Sequence, residues 1–426
     1  MALHWVIAFF FLAAMVVALF RLAGYFLRDT MQQYGWHFGQ QDLEVFAAIM
    51  QSTFDMAETS VKIAVYLIGI MALWMGIMRI GEAGGAVRIL SRWVAPFFRL
   101  IFPGIPKEHP SMGAMMMNFS ANMLGLDNAA TPLGLKAMNE LQTLNHDKDT
   151  ASNAQIMFLV LNTSGLTIVP VSVMALRASA GAATPTDVFL PILIATYFSS
   201  LAGLIAVSVS QRINLLQPTL MLWLIGLTSA ILGFTWWMHN LSPQMISAIS
   251  SLGGNLLLFS IIIGFILLAL RSKVNIYESF IEGARGGFEV AVRLIPYLVV
   301  MLVAIGVFRA SGGLDLLIGI VGKAVAIIGL DTAFVDALPT AFMKPLSGSG
   351  ARGMMVETMN TFGADSFAGR LSSIFQGSTE TTFYTLAVYY GAVGIRRTRN
   401  TLWCGLFADA VGIITAIWVS YIFFGQ

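Results

Sequence analysis

The sequence predicts an all-α polytopic membrane protein, built from two internal repeats of inverted topology with re-entrant hairpins and broken helices. Three observations carry this expectation. Of 426 residues, 57% are hydrophobic and 11% are charged, whereas soluble domains carry about 25% charged residues. Apolar stretches at 2–20, 61–78, 154–176, 188–210, 219–238, 245–270, 290–308, 371–393 and 400–424 come near the roughly 20 residues that a bilayer demands. Polar runs break several of these stretches, and the breaks recur at equivalent places in two parts of the chain.

In chain order, 2–20 lacks a basic leader and a small-residue cleavage site, so a true first span is expected rather than a signal peptide. Residues 29–60 contain no Lys or Arg and read as a polar, acidic-leaning connector. Arg88, Arg92 and Arg99 alternate with Leu90, Trp93, Val94, Phe97 and Phe98, the pattern of an interfacial amphipathic helix over 82–105. The apolar segment 112–126 is too short to cross and fits a re-entrant half-helix. Cys404 is the single cysteine, so an internal disulfide and a cysteine-cluster metal site are excluded. The five histidines show no pair at metal-ligand spacing. A net charge of +2 gives no reason to expect a nucleic-acid partner.

The repeat shows in two correspondences. Gly76-Ile-Met-Arg79 before Gly84-Gly85 matches Gly306-Val-Phe-Arg309 before Gly312-Gly313, and Asn162-Thr-Ser-Gly165 matches Gln376-Gly-Ser-Thr-Glu380. The implied division is 1–60 for the first span and connector, 61–212 for the first repeat, 213–279 for two linking spans, and 280–426 for the second repeat. Basic residues favour the inverted arrangement. The 79–107 connector has five Lys or Arg against two in its counterpart 309–337, while 177–187 has one against three in 391–402. Arg21, Arg28, Lys344, Arg352 and Arg370 run against this bias.

Four polar clusters are the candidate site. They are Asn118, Ser120, Asn122, Asp127 and Asn128; Asn162, Thr163 and Ser164; Ser347, Ser349 and Arg352, after Lys344; and Gln376, Ser378, Thr379 and Glu380. An ionisable group at membrane depth, such as Glu380, costs a few kcal/mol even on insertion scales (about 2.5–3.5) and usually faces a cavity or partner. Each cluster also has a purely structural use. Asp127 and Asn128 can cap the helix that follows, before Thr131 and Pro132. The Ser347-Gly-Ser-Gly run can be a flexible turn, or can present N–H groups to an anion, with Arg352 an interfacial anchor. Asn162, Thr163 and Ser164 can join helices by hydrogen bonds worth about 0.6–2 kcal/mol, and Glu380 can cap a helix end in the headgroups. A functional reading gains from the pairing: two hairpin tips and two unwound spans are what a site at a repeat interface requires.

These motifs resemble a known family. The run from Phe119 through Leu126-Asp127-Asn128 to Leu141 is similar to spore maturation protein A. The runs Ser347-Gly-Ser-Gly-Ala-Arg352 and Phe362-Gly-Ala-Asp365 through Gln376-Gly-Ser-Thr-Glu380 to Tyr384 are similar to spore maturation protein B. The resemblance covers about 40–426 and has the form of an A–B fusion. It implies two Gate-type repeats of the nucleoside-recognition group, which is similar to parts of concentrative nucleoside transporters and of ferrous-iron transporter B. In those nucleoside transporters a Gln-Thr-Glu run at a hairpin binds the nucleoside. Gln376, Thr379 and Glu380 resemble it, with Gly377 and Ser378 intervening.

The resulting expectation is a transporter-like, multi-pass protein of the inner (plasma) membrane, with the lipid bilayer, a small polar solute and a second copy of the chain as partners. The solute is nucleoside-like or an aromatic carboxylate. Coupling to Na+ or H+ is admitted, with no other cofactor and no metal. A non-transporting scaffold or regulatory subunit is the alternative. Enzyme activity is not expected, because no nucleophile–base pair is visible.

Overall fold

The computed structural model describes residues 2–106 and 108–425, with the side chains of 2–4, 127–129, 243, 247 and 293 outside the description. The helices are α1 Ala2–Phe26, α2 Arg28–Gln32, α3 Gln40–Leu43, α4 Val45–Ala83, α5 Ala86–Ile101, α6 Pro110–Met123, α7 Asp127–Leu144, α8 Asn153–Ser164, α9 Val171–Ser179 and α10 Phe189–Gln211. Then follow α11 Pro218–His239, α12 Pro243–Arg271, α13 Ile276–Ala310, α14 Gly313–Ile327, α15 Leu338–Leu346, α16 Gly348–Phe362, α17 Phe367–Ser378, α18 Thr382–Ala392 and α19 Thr401–Phe424. Among the described residues, seven helices are long and apolar enough to cross a membrane: α1, α4, α10, α11, α12, α13 and α19. The chain is an all-α, multi-pass membrane protein.

Two long helix pairs make the frame. Helices α4 and α13 run antiparallel: a Cβ on Gly283 would stand 2.4 Å from the Met75 carbonyl oxygen, and one on Gly287 would stand 2.5 Å from that of Met71. Arg79 pairs with Glu282 at 2.8 Å at one end, while Gly306 meets Met56 at the other. Glycine is required here because only a side-chain-free surface lets two backbones approach so closely. Helices α10 and α19 also run antiparallel. Ser210 bonds Asn400, and further along Ser199 donates to the Ala408 carbonyl at 3.0 Å.

The connector expected over 29–60 is corrected, since its second half belongs to α4, which starts at Val45. Composition hid the helix because its polar residues share an exposed face and bond along it, Gln51 to Asp55 at 2.8 Å and Lys62 to Glu58. Such i,i+4 pairs support a helix where hydropathy alone does not. Arg21 is held by Asp42 at 2.6 Å and by the Ser311 carbonyl at 3.0 Å. Helix α5 is amphipathic as expected: Ala86, Val87, Ser91, Phe98 and Ile101 are buried, and Arg88, Arg92 and Arg99 are exposed. Cys404 is buried.

Candidate functional site

The apolar stretches 154–176 and 371–393 are each two short helices around a break. In the first, α8 ends at Gly165, which is left-handed (φ 57°, ψ 54°), and α9 begins after Pro170. Glycine visits that region without a Cβ penalty and proline cannot donate into a helix, so the sequence itself interrupts the span. In the second, Thr379 and Thr381 are extended between α17 and α18.

A helical hairpin docks on each break. The α6–α7 hairpin turns at Gly125 (φ 70°), where a Cβ would stand 2.5 Å from the Val169 carbonyl oxygen. Ile168 donates its amide to the Met123 carbonyl at 2.7 Å, and Asn122 Nδ2 donates to Asn162 Oδ1 at 2.8 Å. Asn162 in turn donates to the Phe158 carbonyl at 2.8 Å, and Asn118 donates to that of Ala130 at 2.8 Å. The α15–α16 hairpin turns at Ser347, whose hydroxyl accepts from the Gly350 amide at 3.0 Å and lies 3.2 Å from Ser349 Oγ. Its Gly348 abuts the second break, where a Cβ would stand 2.7 Å from Thr381 Oγ1.

The two breaks also meet each other. The Glu380 amide donates to the Thr163 carbonyl at 2.8 Å, and a Cβ on Gly165 would stand 2.9 Å from that amide nitrogen. Backbone groups freed by the unwinding of one span are thus satisfied by the other, which is how irregular backbone persists at membrane depth.

Asn118, Asn122, Asn162, Thr163, Thr379 and Glu380 gather about this crossing, with Ser347 and Ser349 in the hairpin that reaches Thr381. The Glu380 side chain is exposed and acts electrostatically on Tyr389, whose hydroxyl is in reach of Asn118 and Thr131. Gly134 makes room for that ring, because a Cβ there would stand 2.5 Å from the Tyr389 hydroxyl. Other candidates turn away: Ser164 bonds Ser200 at 3.2 Å, and Ser378 bonds back to the Phe375 carbonyl at 3.0 Å. Arg352 is partly buried, and its Nε has no hydrogen-bond partner among the described residues. Ser120 Oγ and Gln376 Oε1 are buried in the same condition. The Asp127 and Asn128 side chains lie outside the described residues. Asn122→Ala should cost about 1–3 kcal/mol, because it strands Asn162 Oδ1. Unfolding of detergent-solubilised protein checks this, and an unchanged midpoint would mean that water replaces the amide.

Two charged constellations escaped the sequence reading. Asp409 in α19 is buried and accepts from Thr382 Oγ1 at 2.7 Å. Its signal was a lone carboxylate inside an apolar span, overlooked beside the longer polar runs. Away from the crossing, Arg177 is fully buried and pairs with Asp187 at 2.9 Å and Asp365 at 3.1 Å, and Asp187 also pairs with Arg370 at 2.7 Å. At the other end of α10 the loops 145–152 and 393–400 clamp by backbone: the Ala151 amide donates to the Arg397 carbonyl at 2.9 Å, and the Arg396 amide to that of Asp149 at 2.9 Å. A cavity of about 490 Å³ at this end, lined by Ile101, Ile105, Leu141, Ala154, Arg212 and Gln217, contains no candidate site residue.

A multi-pass membrane protein in which two hairpins meet two broken spans is the class that this architecture defines. The chain belongs to the Gate family, described as nucleoside recognition, whose pattern matches residues 64–180 and 291–396, together more than half of the chain. It is similar to spore maturation protein B of Bacillus subtilis (strain 168), with 46% identity over 166 residues, 39% of this chain and 92% of that protein. It is also similar to spore maturation protein A of the same organism, with 40% identity over 157 residues, 37% of this chain and 80% of that protein. Similarity to both is what an A/B-like fusion carries.

Proposed function

We propose that the chain binds and moves a small polar solute at the interface of two inverted Gate repeats in the inner (plasma) membrane. The observation that carries this reading is the crossing of the two broken spans, at which the Glu380 amide holds the Thr163 carbonyl and each break is faced by a hairpin tip. The antiparallel courses of α4 with α13 and α10 with α19 support the inverted arrangement, because inverted repeats place equivalent helices antiparallel. The family description favours a nucleoside-like solute. Amide and hydroxyl groups such as Gln376 and Ser120, with atoms left unpartnered among the described residues, suit its hydroxyls and base edges. An aromatic carboxylate is the other class, with Arg352 as its counter-charge. Glu380, exposed at the crossing, is the candidate for proton or cation coupling or for holding solute hydroxyls, and no catalytic role is assigned.

A non-transporting scaffold is the second reading, favoured by polar pairs that satisfy one another: Asn122 with Asn162, Ser164 with Ser200, and Ser347 with Ser349. A thermal-shift screen of nucleosides and aromatic carboxylates on purified protein separates the two. Solute reading predicts a saturable stabilisation of the melt. Glu380→Gln should then keep the fold, since it retains the shape of an exposed side chain, and abolish any pH or ion dependence of binding. An unaltered pH profile in that variant makes Glu380 structural, and no stabilisation by any compound leaves the scaffold.

A further inference from the structure

We propose that Lys344 fills an alkali-cation site of the protein's own: an acidic pocket formed by Asp409 with Thr379 and Thr382, in which a tethered ammonium takes the place of a free sodium ion. Asp409 is 2% exposed, and its Oδ1 is buried with no hydrogen-bond partner among the described residues. Its Oδ2 accepts from Thr382 Oγ1 at 2.7 Å. Hydroxyls alone leave an ionised carboxylate inside a membrane span without a counter-charge, and a neighbouring cation is what stabilises it.

That charge comes from the second hairpin. Lys344 lies in the last turn of α15, is 5% exposed, and acts on the Asp409 carboxylate together with the Thr379 hydroxyl. The elements are in contact for this purpose, since α15 packs on both α18 and α19. Glycine closes the gap: at Gly412, three residues beyond Asp409, a Cβ would stand 2.9 Å from Thr379 Cγ2 and 3.2 Å from Ser199 Cβ. The second break is thereby pressed against α19.

A carboxylate and two hydroxyls beside a broken span are hard oxygen donors, suited to an alkali cation. A divalent ion is not indicated, because no group of three His, Cys, Asp or Glu exists among the described residues. With its own ammonium in the pocket, the protein needs no sodium there, and the charge pair ties the hairpin to the spans it must leave for a solute to pass. This assignment holds whichever solute occupies the crossing. It also withdraws Lys344 from the groups that would bind an anionic solute.

The test compares melting in sodium chloride and in choline chloride at equal ionic strength. Wild type should melt alike in both. Lys344→Ala, which empties the pocket but keeps Asp409, should melt about 2–4 °C higher in sodium chloride. Lys344→Ala with Asp409→Asn should lose that response. The proposal is overturned by a Lys344→Ala variant indifferent to sodium, by a double variant that still responds, or by a wild type that responds as strongly. If Lys344→Ala does not fold, the pairing is read from Lys344→Met with Asp409→Asn, which must melt above both single variants; melting below either one also overturns it.

Discussion

Asp187→Ala should lower the unfolding free energy by about 3–5 kcal/mol, the cost of removing one partner from a buried ion pair. Arg177 is 0% exposed. It depends on Asp187 at 2.9 Å, Asp365 at 3.1 Å and the Ala364 carbonyl at 2.8 Å, and its Nε has no hydrogen-bond partner among the described residues. Loss of Asp187 also takes from Arg370 a carboxylate at 2.7 Å and leaves it the Asp365 carbonyl and the Phe424 ring. The remaining carboxylate, Asp365, is partly exposed and must then serve two guanidinium groups while it accepts from the Ala183 amide at 2.8 Å. Replacing the central pair by apolar side chains, Arg177→Met with Asp187→Leu, should recover much of the loss, because the stranded charge and not the missing attraction dominates the penalty. Denaturant unfolding in detergent reads both variants. A loss below about 1 kcal/mol for Asp187→Ala, the range of exposed pairs, would show that water reaches the network.

The second large effect concerns the crossing. Gly165→Leu should destabilise the protein by about 1–3 kcal/mol from backbone strain alone, with a further loss from contact. Its Cβ would stand 2.9 Å from the Glu380 amide nitrogen and 3.0 Å from Glu380 Cγ. The amide cannot swing aside as a flexible side chain does, because it is the donor to the Thr163 carbonyl. Separating the breaks should abolish binding of any solute found by the thermal-shift screen. Gly181 supplies the control: it is left-handed at φ 78° with nothing within 4 Å of a Cβ. Gly181→Ala therefore reports strain alone, and Gly165→Ala must lose more stability than it does. Equal melting of the two alanine variants would mean that the breaks are not in contact.

Composition and pattern by themselves determined a good deal. A chain with 57% hydrophobic and 11% charged residues cannot cover itself with polar surface in water, which settled the membrane class. Gly165 and Pro170 both disfavour a continuous helix and stand among polar residues, so a break within 154–176 was legible from the residues themselves. Asn122 and Asn162 were legible as groups needing partners, because an amide in an apolar helix must be hydrogen-bonded. These are local properties, set by each residue's own backbone preference and solvation.

Tertiary structure alone decided which partners were chosen. Thr163 meets Glu380, Arg177 meets Asp365, and Asp409 meets Thr382. No local pattern encodes most of these pairings, since Arg177 and Asp365 are 188 positions apart and their approach follows from how whole helices pack. Even Asp409 and Thr382, only 27 positions apart, sit on different helices separated by a loop. The start of α4 at Val45 was hidden for a related reason: its polar face is an exposed helical stripe, and hydropathy averages over faces that only packing tells apart. A sequence states what each side chain requires of its surroundings, and the packed helices select which distant group meets that requirement.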